Sequence, residues 1–239
     1  MEKDLSFWAV IPTYNEAENI PLLLIEIEKA RPGITILVVD DNSPDKTGEV
    51  VEKIAQDWPY GRLKILHRPQ KAGLGSAYCE GFEFALKNGA DFVIQMDADH
   101  SHDPRYIPDM VNKIHDFDVV IGSRYLQGIN VLGWDFRRLL LSKLANFYVR
   151  AITGLPLSDA TAGYKCLRKE VLETIGINNI HSNGYAFQFE VNYRAYKKGF
   201  RLTEVPIIFI ERRGGASKLG KKVFFEAFWR VFWLRMFVR

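Results

Sequence analysis

Between residues 6 and 96, four short apolar runs alternate with stretches of helical period, and this alternation limits the fold more than any other feature of the chain. SFWAVI (6–11) gives way to PTYNE, then to a stretch with Ile20, Leu23, Leu24 and Ile27 at helical spacing. ITILVV (34–39), LKIL (63–66) and FVIQM (92–96) follow. NSPDKT and the glycine-rich KAGLGSA each open a further helix between them. A run apolar at every position suits a strand covered on both faces, so βαβαβαβ order predicts a doubly wound, mainly parallel mixed sheet with helices on both sides. Ligands of such sheets sit beyond the carboxyl ends of the strands. PTYNE, DDNSPD and DADHSH all fall there.

Past residue 104 the rhythm loosens. DVVIGSR (118–124) reads as a strand, 136–152 as a long helix and GYKCLRKEVL as a strand turning into a helix. RLTEVPIIFI (201–210) is a late strand that Pro206 assigns to an edge. The 239 residues, 47% hydrophobic, suffice for one α/β domain over 1–220, followed by a basic, aromatic helix over 221–239. A net charge of +3 gives no basic surface for nucleic acid. Cys79 and Cys166 lack metal or disulfide spacing and read as small core residues. The start has no signal-peptide pattern, and no apolar run reaches the roughly 20 residues of a membrane span. Any membrane role is therefore expected to be peripheral, supplied by a partner, or absent.

Asp97 and Asp99 close the fourth strand with one alanine between them. Residues two apart in an extended segment point the same way, and two like charges need something positive between them. A metal ion, a basic side chain or solvent can supply it. Hard oxygen ligands suit Mg²⁺ or Mn²⁺, with Ser101 able to complete the set. His100 and His102 read as exposed loop residues rather than ligands. ILVVDDN also suggests a phosphoacceptor receiver domain. A whole strand and helix precede it, however, and the chain is about twice a receiver's length. The first turn, PTYNE, is not the G-x-G-x-x-G of a dinucleotide site.

VIPTYNEAENI, VVDDNSPDKT, KAGLGSA, QMDADHSHDP, VIGSRY, FRRLLLS, DATAGYKCLRKEVL and ERRGGASKLG occur in this order over nearly the whole chain. Together they resemble the inverting GT-A glycosyltransferases of family 2, specifically the dolichyl (polyprenyl) phosphate mannose synthases. The resemblance implies a donor site of Pro12, Tyr14, Glu16, Val39, Asp41, Asp97, Ala98, Asp99, Arg124, Arg212 and Lys218. Asp97, Asp99 and Arg124 would be its catalytic set, and Arg124, Arg138 and Ser142 would hold the acceptor's phosphate. The implied reaction moves mannose from GDP-mannose to dolichyl or another polyprenyl phosphate with inversion. A UDP-sugar such as glucose is the rival donor, and a non-catalytic nucleotide-binding module is the rival class.

The implied location is the cytoplasmic face of a membrane, the endoplasmic reticulum in a eukaryote or the inner membrane in a prokaryote. KKVFFEAFWRVFWLRMFVR suits a helix in an anionic interface, with Trp229 and Trp233 at headgroup depth. Packing on the domain, or on a small membrane-embedded partner subunit, is the alternative. The attacking phosphate is already largely dianionic at neutral pH and needs no general base. Asp159 in SDATAGYK is therefore expected to order its loop or orient a basic neighbour such as Lys165.

Overall fold

The computed structural model describes residues 5–180, 182, 184–211 and 221–238, with backbone alone at 185 and 221–227. Arg212 and Lys218 lie outside the described residues. The four apolar runs form β1 (Phe7–Thr13), β2 (Thr35–Asp40), β3 (Leu63–His67) and β4 (Phe92–Gln95). Between them run α1 (Ile20–Ala30), α2 (Thr47–Gln56) and α3 (Leu74–Lys87). The second half adds α4 (Ile107–Ile114), β5 (Val119–Ser123), β6 (Val131–Leu132), α5 (Phe136–Thr153), β7 (Lys165–Arg168) and α6 (Lys169–Ile175). It closes with α7 (Gly184–Lys197), β8 (Leu202–Pro206), β9 (Phe209–Ile210) and α8 (Lys221–Phe237).

Seven strands form one sheet in the order β3-β2-β1-β4-β7-β5-β8, and β6 pairs with β9 in a short parallel ribbon. Only β7 runs against its neighbours in the large sheet, bonded to β4 on one side and β5 on the other. Pro206 ends β8 at the sheet's edge, where a missing N–H breaks no ladder. The chain winds outward from β1 through β2 to β3, then returns to place β4 on β1's other side. That reversal opens a crevice at the carboxyl ends of β1 and β4.

Strand side chains alternate between two apolar layers. Trp8, Val10, Leu37, Val39 and Val93 pack with Phe82 of α3, Val149 of α5, Leu172 of α6, Phe187 of α7 and Leu234 of α8. Ala9, Ile11, Ile36, Val38 and Ile94 face Leu23 of α1, Val51 of α2 and Met110 of α4. Helix α3 lies close to the sheet. A Cβ on Gly81 would fall 2.5 Å from Val10 and 2.9 Å from Val39, so any larger residue pushes the helix away.

Helix α8 is part of the helical layer. Val231 and Leu234 are buried, Tyr148 of α5 stacks on Phe228, and Arg230 reaches the buried Glu190 of α7. Its other side exposes Trp229, Trp233, Met236 and Phe237. Beside it α5 exposes Phe136, Leu140, Leu141, Leu144 and Phe147. Among the described residues no helix is long and apolar enough to cross a membrane.

Candidate active site

The crevice has an acidic wall at the ends of β1, β2 and β4. Asp40 ties the β1 and β2 ends together by accepting from Thr13 Oγ1 (3.0 Å), Ser43 Oγ (2.5 Å) and the Ser43 amide. Asp41, next in line, is buried against Arg68, whose guanidinium also donates to Ser76 (2.6 Å) and Glu80 (2.8 Å) of α3. Hydrogen bonds to these two carboxylates outweigh burial and raise Arg68 above its ordinary value. Arg68 escaped the sequence reading because LHRPQK looks like an ordinary polar loop, and only the fold brings it to Asp41. Tyr14 sits at the rim under Lys71, 3.5 Å from its ring centre. Glu16 accepts from Asn19 Nδ2 at 2.7 Å, and its amide donates to Thr47. Pro12 is partly exposed in β1, whereas the Val39 side chain is entirely within the core and offers a ligand no surface.

Asp97, Ala98 and Asp99 follow β4 after Met96, with both carboxylates part-exposed and Ala98 buried between them. The Tyr78 hydroxyl donates to Asp97 Oδ1 at 2.7 Å; burial, and then the Asp97 charge, push that phenol well above its usual range. It is a permanent donor. His102 is buried rather than exposed, stacked on Tyr164 at 5.0 Å. Its Nδ1 accepts the Asp97 amide at 2.9 Å, so the ring proton is on Nε2. Burial lowers His102 against the raising effect of Asp97 and Asp99, keeping it neutral. His100 is likewise engaged, 3.2 Å from Glu26. His102 is therefore part of the wall of the site, while His100 stays part-exposed. Ser101 is buried and its amide donates to Asp99 Oδ1 at 3.1 Å.

The donor set fits a hard divalent cation. Among the described residues no group of three or more His, Cys, Asp or Glu side chains converges on one point. Asp97 and Asp99 alone suit an ion that fills its other positions with water and substrate phosphate, as Mg²⁺ and Mn²⁺ do. Below them Gln95 Nε2 donates to Gly163 O (2.7 Å) and to Gln188 Oε1 (2.6 Å), and the wholly buried Lys165 donates to Gln188. Burial lowers Lys165 to about 7 despite Asp97 and Asp159.

The opposite wall is basic. Arg124 follows β5 and is gripped by the fully buried Asp159, with Nε to Oδ2 at 2.6 Å and one terminal nitrogen to Oδ1 at 2.7 Å. The basic neighbour that Asp159 orients is thus Arg124, while Lys165 binds an amide. Thr161 also accepts from Arg124, and Asn146 of α5 donates to Thr161 at 3.1 Å, tying α5 to this loop. Asp135 caps α5 by accepting the Arg138 amide. The Arg138 guanidinium pairs with Glu211 and lies 4.4 Å from the ring centre of Trp134. One turn further, Ser142 Oγ accepts from the Tyr125 hydroxyl at 2.7 Å. His102, bonded to the Asp97 amide, meets the Phe209 ring edge-on at 6.0 Å, and Arg124 lies 5.6 Å from the centre of the same ring, so the two walls are neighbours.

A parallel sheet with this reversal, acidic on one side of its crevice and basic on the other, is of the GT-A type. Glucosyl-3-phosphoglycerate synthase from Mycobacterium tuberculosis, solved with Mn²⁺, UDP-glucose and phosphoglyceric acid, has the same fold. It superposes with a TM-score of 0.71 at 16% identity, over 99% of this chain and 81% of that one. Residues 8–176 match glycosyl transferase family 2, and the chain belongs to that family. It is 44% identical to the polyprenol monophosphomannose synthase of Mycolicibacterium smegmatis, over 93% of this chain and 84% of that protein. It is 41% identical to the undecaprenyl-phosphate mannosyltransferase of Micrococcus luteus, over 91% and 89%.

Proposed function

We propose that the protein transfers mannose from GDP-mannose to a dolichyl or other polyprenyl phosphate, with inversion at the anomeric carbon. The observation that carries this reading is the closeness of the Asp97–Asp99 segment, through His102 and Phe209, to the Asp159-anchored Arg124, beside a helix that bears Arg138 and Ser142 and exposes an apolar side. The family and the names of both relatives support sugar transfer to a lipid phosphate. The acidic wall takes the nucleotide sugar: Tyr14, Glu16 and Asp41 lie toward the nucleoside, Asp97 and Asp99 toward the diphosphate, and Arg212 and Lys218 complete the donor set. When Mg²⁺ or Mn²⁺ is bound at Asp97 and Asp99, it offsets charge building on the leaving diphosphate.

Arg124, Arg138 and Ser142 orient the acceptor's phosphate so that one oxygen attacks the anomeric carbon in line. The bond to GDP breaks as the new C–O bond forms, and the leaving electron pair stays on GDP. No proton need move, since the attacking oxygen is already ionised. Residues 1–220 are the catalytic domain. Helix α8, with α5, rests on the cytoplasmic surface of a membrane or on a small membrane-embedded partner.

The test offers a panel of nucleotide sugars with a polyprenyl phosphate and weighs the product. GDP-mannose should give a polyprenyl phosphate mannose, and a hexose product from UDP-glucose alone would overturn the donor assignment. Asp99→Asn should abolish transfer while thermal stability of the metal-free protein holds or rises, because one of two repelling carboxylates is gone. Near-normal turnover in that variant would remove the cation from the mechanism.

A further inference from the structure

Trp134 lies between the β6–β9 ribbon and α5, and nothing in the reading above uses it. Its indole Nε1 is buried and has no hydrogen-bond partner among the described residues. Buried donors are nearly always paired, and leaving one unpaired costs free energy that a ligand can restore. The surroundings say which ligand. Arg138 stands 4.4 Å and Arg124 5.5 Å from the ring centre, and Phe209 meets the ring edge-to-face at 5.5 Å. The ring is held by its neighbours, so the direction of its N–H is fixed.

The polar group left unpaired here is a donor, and two cations flank its ring. A sugar hydroxyl would gain little from the charges, and an ammonium group would be repelled. An oxyanion can accept the indole N–H and is favoured by both cations. The corner already holds one, because the Glu211 carboxylate sits on Arg138 and packs against Gly133, the residue before Trp134. Resting on the function proposed above, we infer that the Trp134 N–H is a direct ligand of the acceptor's phosphate, which takes the place of the Glu211 carboxylate on Arg138.

The test is run on the full chain with a short-chain isoprenyl phosphate as probe and the matching isoprenol as control. The chain has five tryptophans, and the indole N–H resonance missing from the spectrum of Trp134→Phe belongs to Trp134. In the wild type that resonance should move downfield with the phosphate and stay put with the alcohol. Trp134→Phe keeps a ring for the guanidinium groups to stack on, and should bind the phosphate about tenfold more weakly or worse, as loss of a hydrogen bond to a charged group does. Arg138→Ala separates the two ideas. Loss of binding in Arg138→Ala with full binding in Trp134→Phe overturns this inference alone. Absence of saturable phosphate binding by the wild type overturns the proposed function with it. A wild-type spectrum in which no indole resonance responds to bound phosphate refutes the inference even if Trp134→Phe does not fold.

Discussion

Asp159 is where a general base would be sought, and its geometry argues for another task. Both carboxylate oxygens are committed to Arg124, one of them also to the Arg124 amide, and the residue is wholly buried. In Asp159→Asn the guanidinium would remain buried without its counter-charge, a change that typically costs about 3–5 kcal/mol. The expected result is a clear fall in melting temperature and slower single-turnover transfer that neither raised pH nor added imidazole restores. Rescue by either would return Asp159 to the role of base. Lys165 supplies a pH dependence of known sign. Its folded value, about 7, lies below its ordinary 10.5, chiefly through burial. Between those values the unfolded chain holds a proton that the folded chain has released, so stability rises with pH across that window. Urea unfolding at pH 7 and pH 10 should show wild type gaining on Lys165→Met as pH rises. A constant difference would mean that Lys165 stays charged throughout.

Helices α5 and α8 share one design, with one side packed on the domain and the other apolar and exposed. Deleting residues 221–239 would uncover the surface beneath Val231 and Leu234 and strip Arg230 from the buried Glu190, confounding lipid binding with stability. Substitution on the exposed side is the cleaner test. Leu141→Glu with Phe147→Glu should weaken binding to anionic liposomes by about tenfold or more, since burying each side chain is worth roughly 1.5–3 kcal/mol. Affinity for the nucleotide sugar should be unchanged. Equal sedimentation of variant and wild type with liposomes would move the membrane contact elsewhere.

In the molecule as a whole, the half built from local crossovers was the more legible in the sequence. Strands β1 to β4 announce themselves as apolar runs that end in polar loops, and the same logic brought PTYNE, DDNSPD and DADHSH to one edge. Pairings between distant segments carry no such signal. Nothing in SDATAGYK says that Asp159 will meet Arg124, and nothing in LHRPQK ties Arg68 to Asp41. His102 read as exposed because it follows two carboxylates in a polar loop, yet Tyr164 arrives from far along the chain to cover it. The tail was legible as basic and aromatic, whereas the face it turns to α5 and α7 was foreseen only as the alternative to a membrane contact.

The reversed strand has a consequence for how the chain is made. While β1 to β4 emerge, β1–β2 and β2–β3 can each close over a single crossover helix, and β4 then pairs with β1. The outer edge of β4, four buried residues long, then waits for Lys165–Arg168. An open apolar edge of this kind is a template for intermolecular pairing. Chains halted after residue 130 should therefore pellet where full-length chains remain in the supernatant, and soluble halted chains would show that the edge is otherwise guarded. The strand that joins β5, and with it Arg124, to β4 is also the one that ends this exposure, so the nascent chain brings its two walls together and covers the β4 edge in the same event.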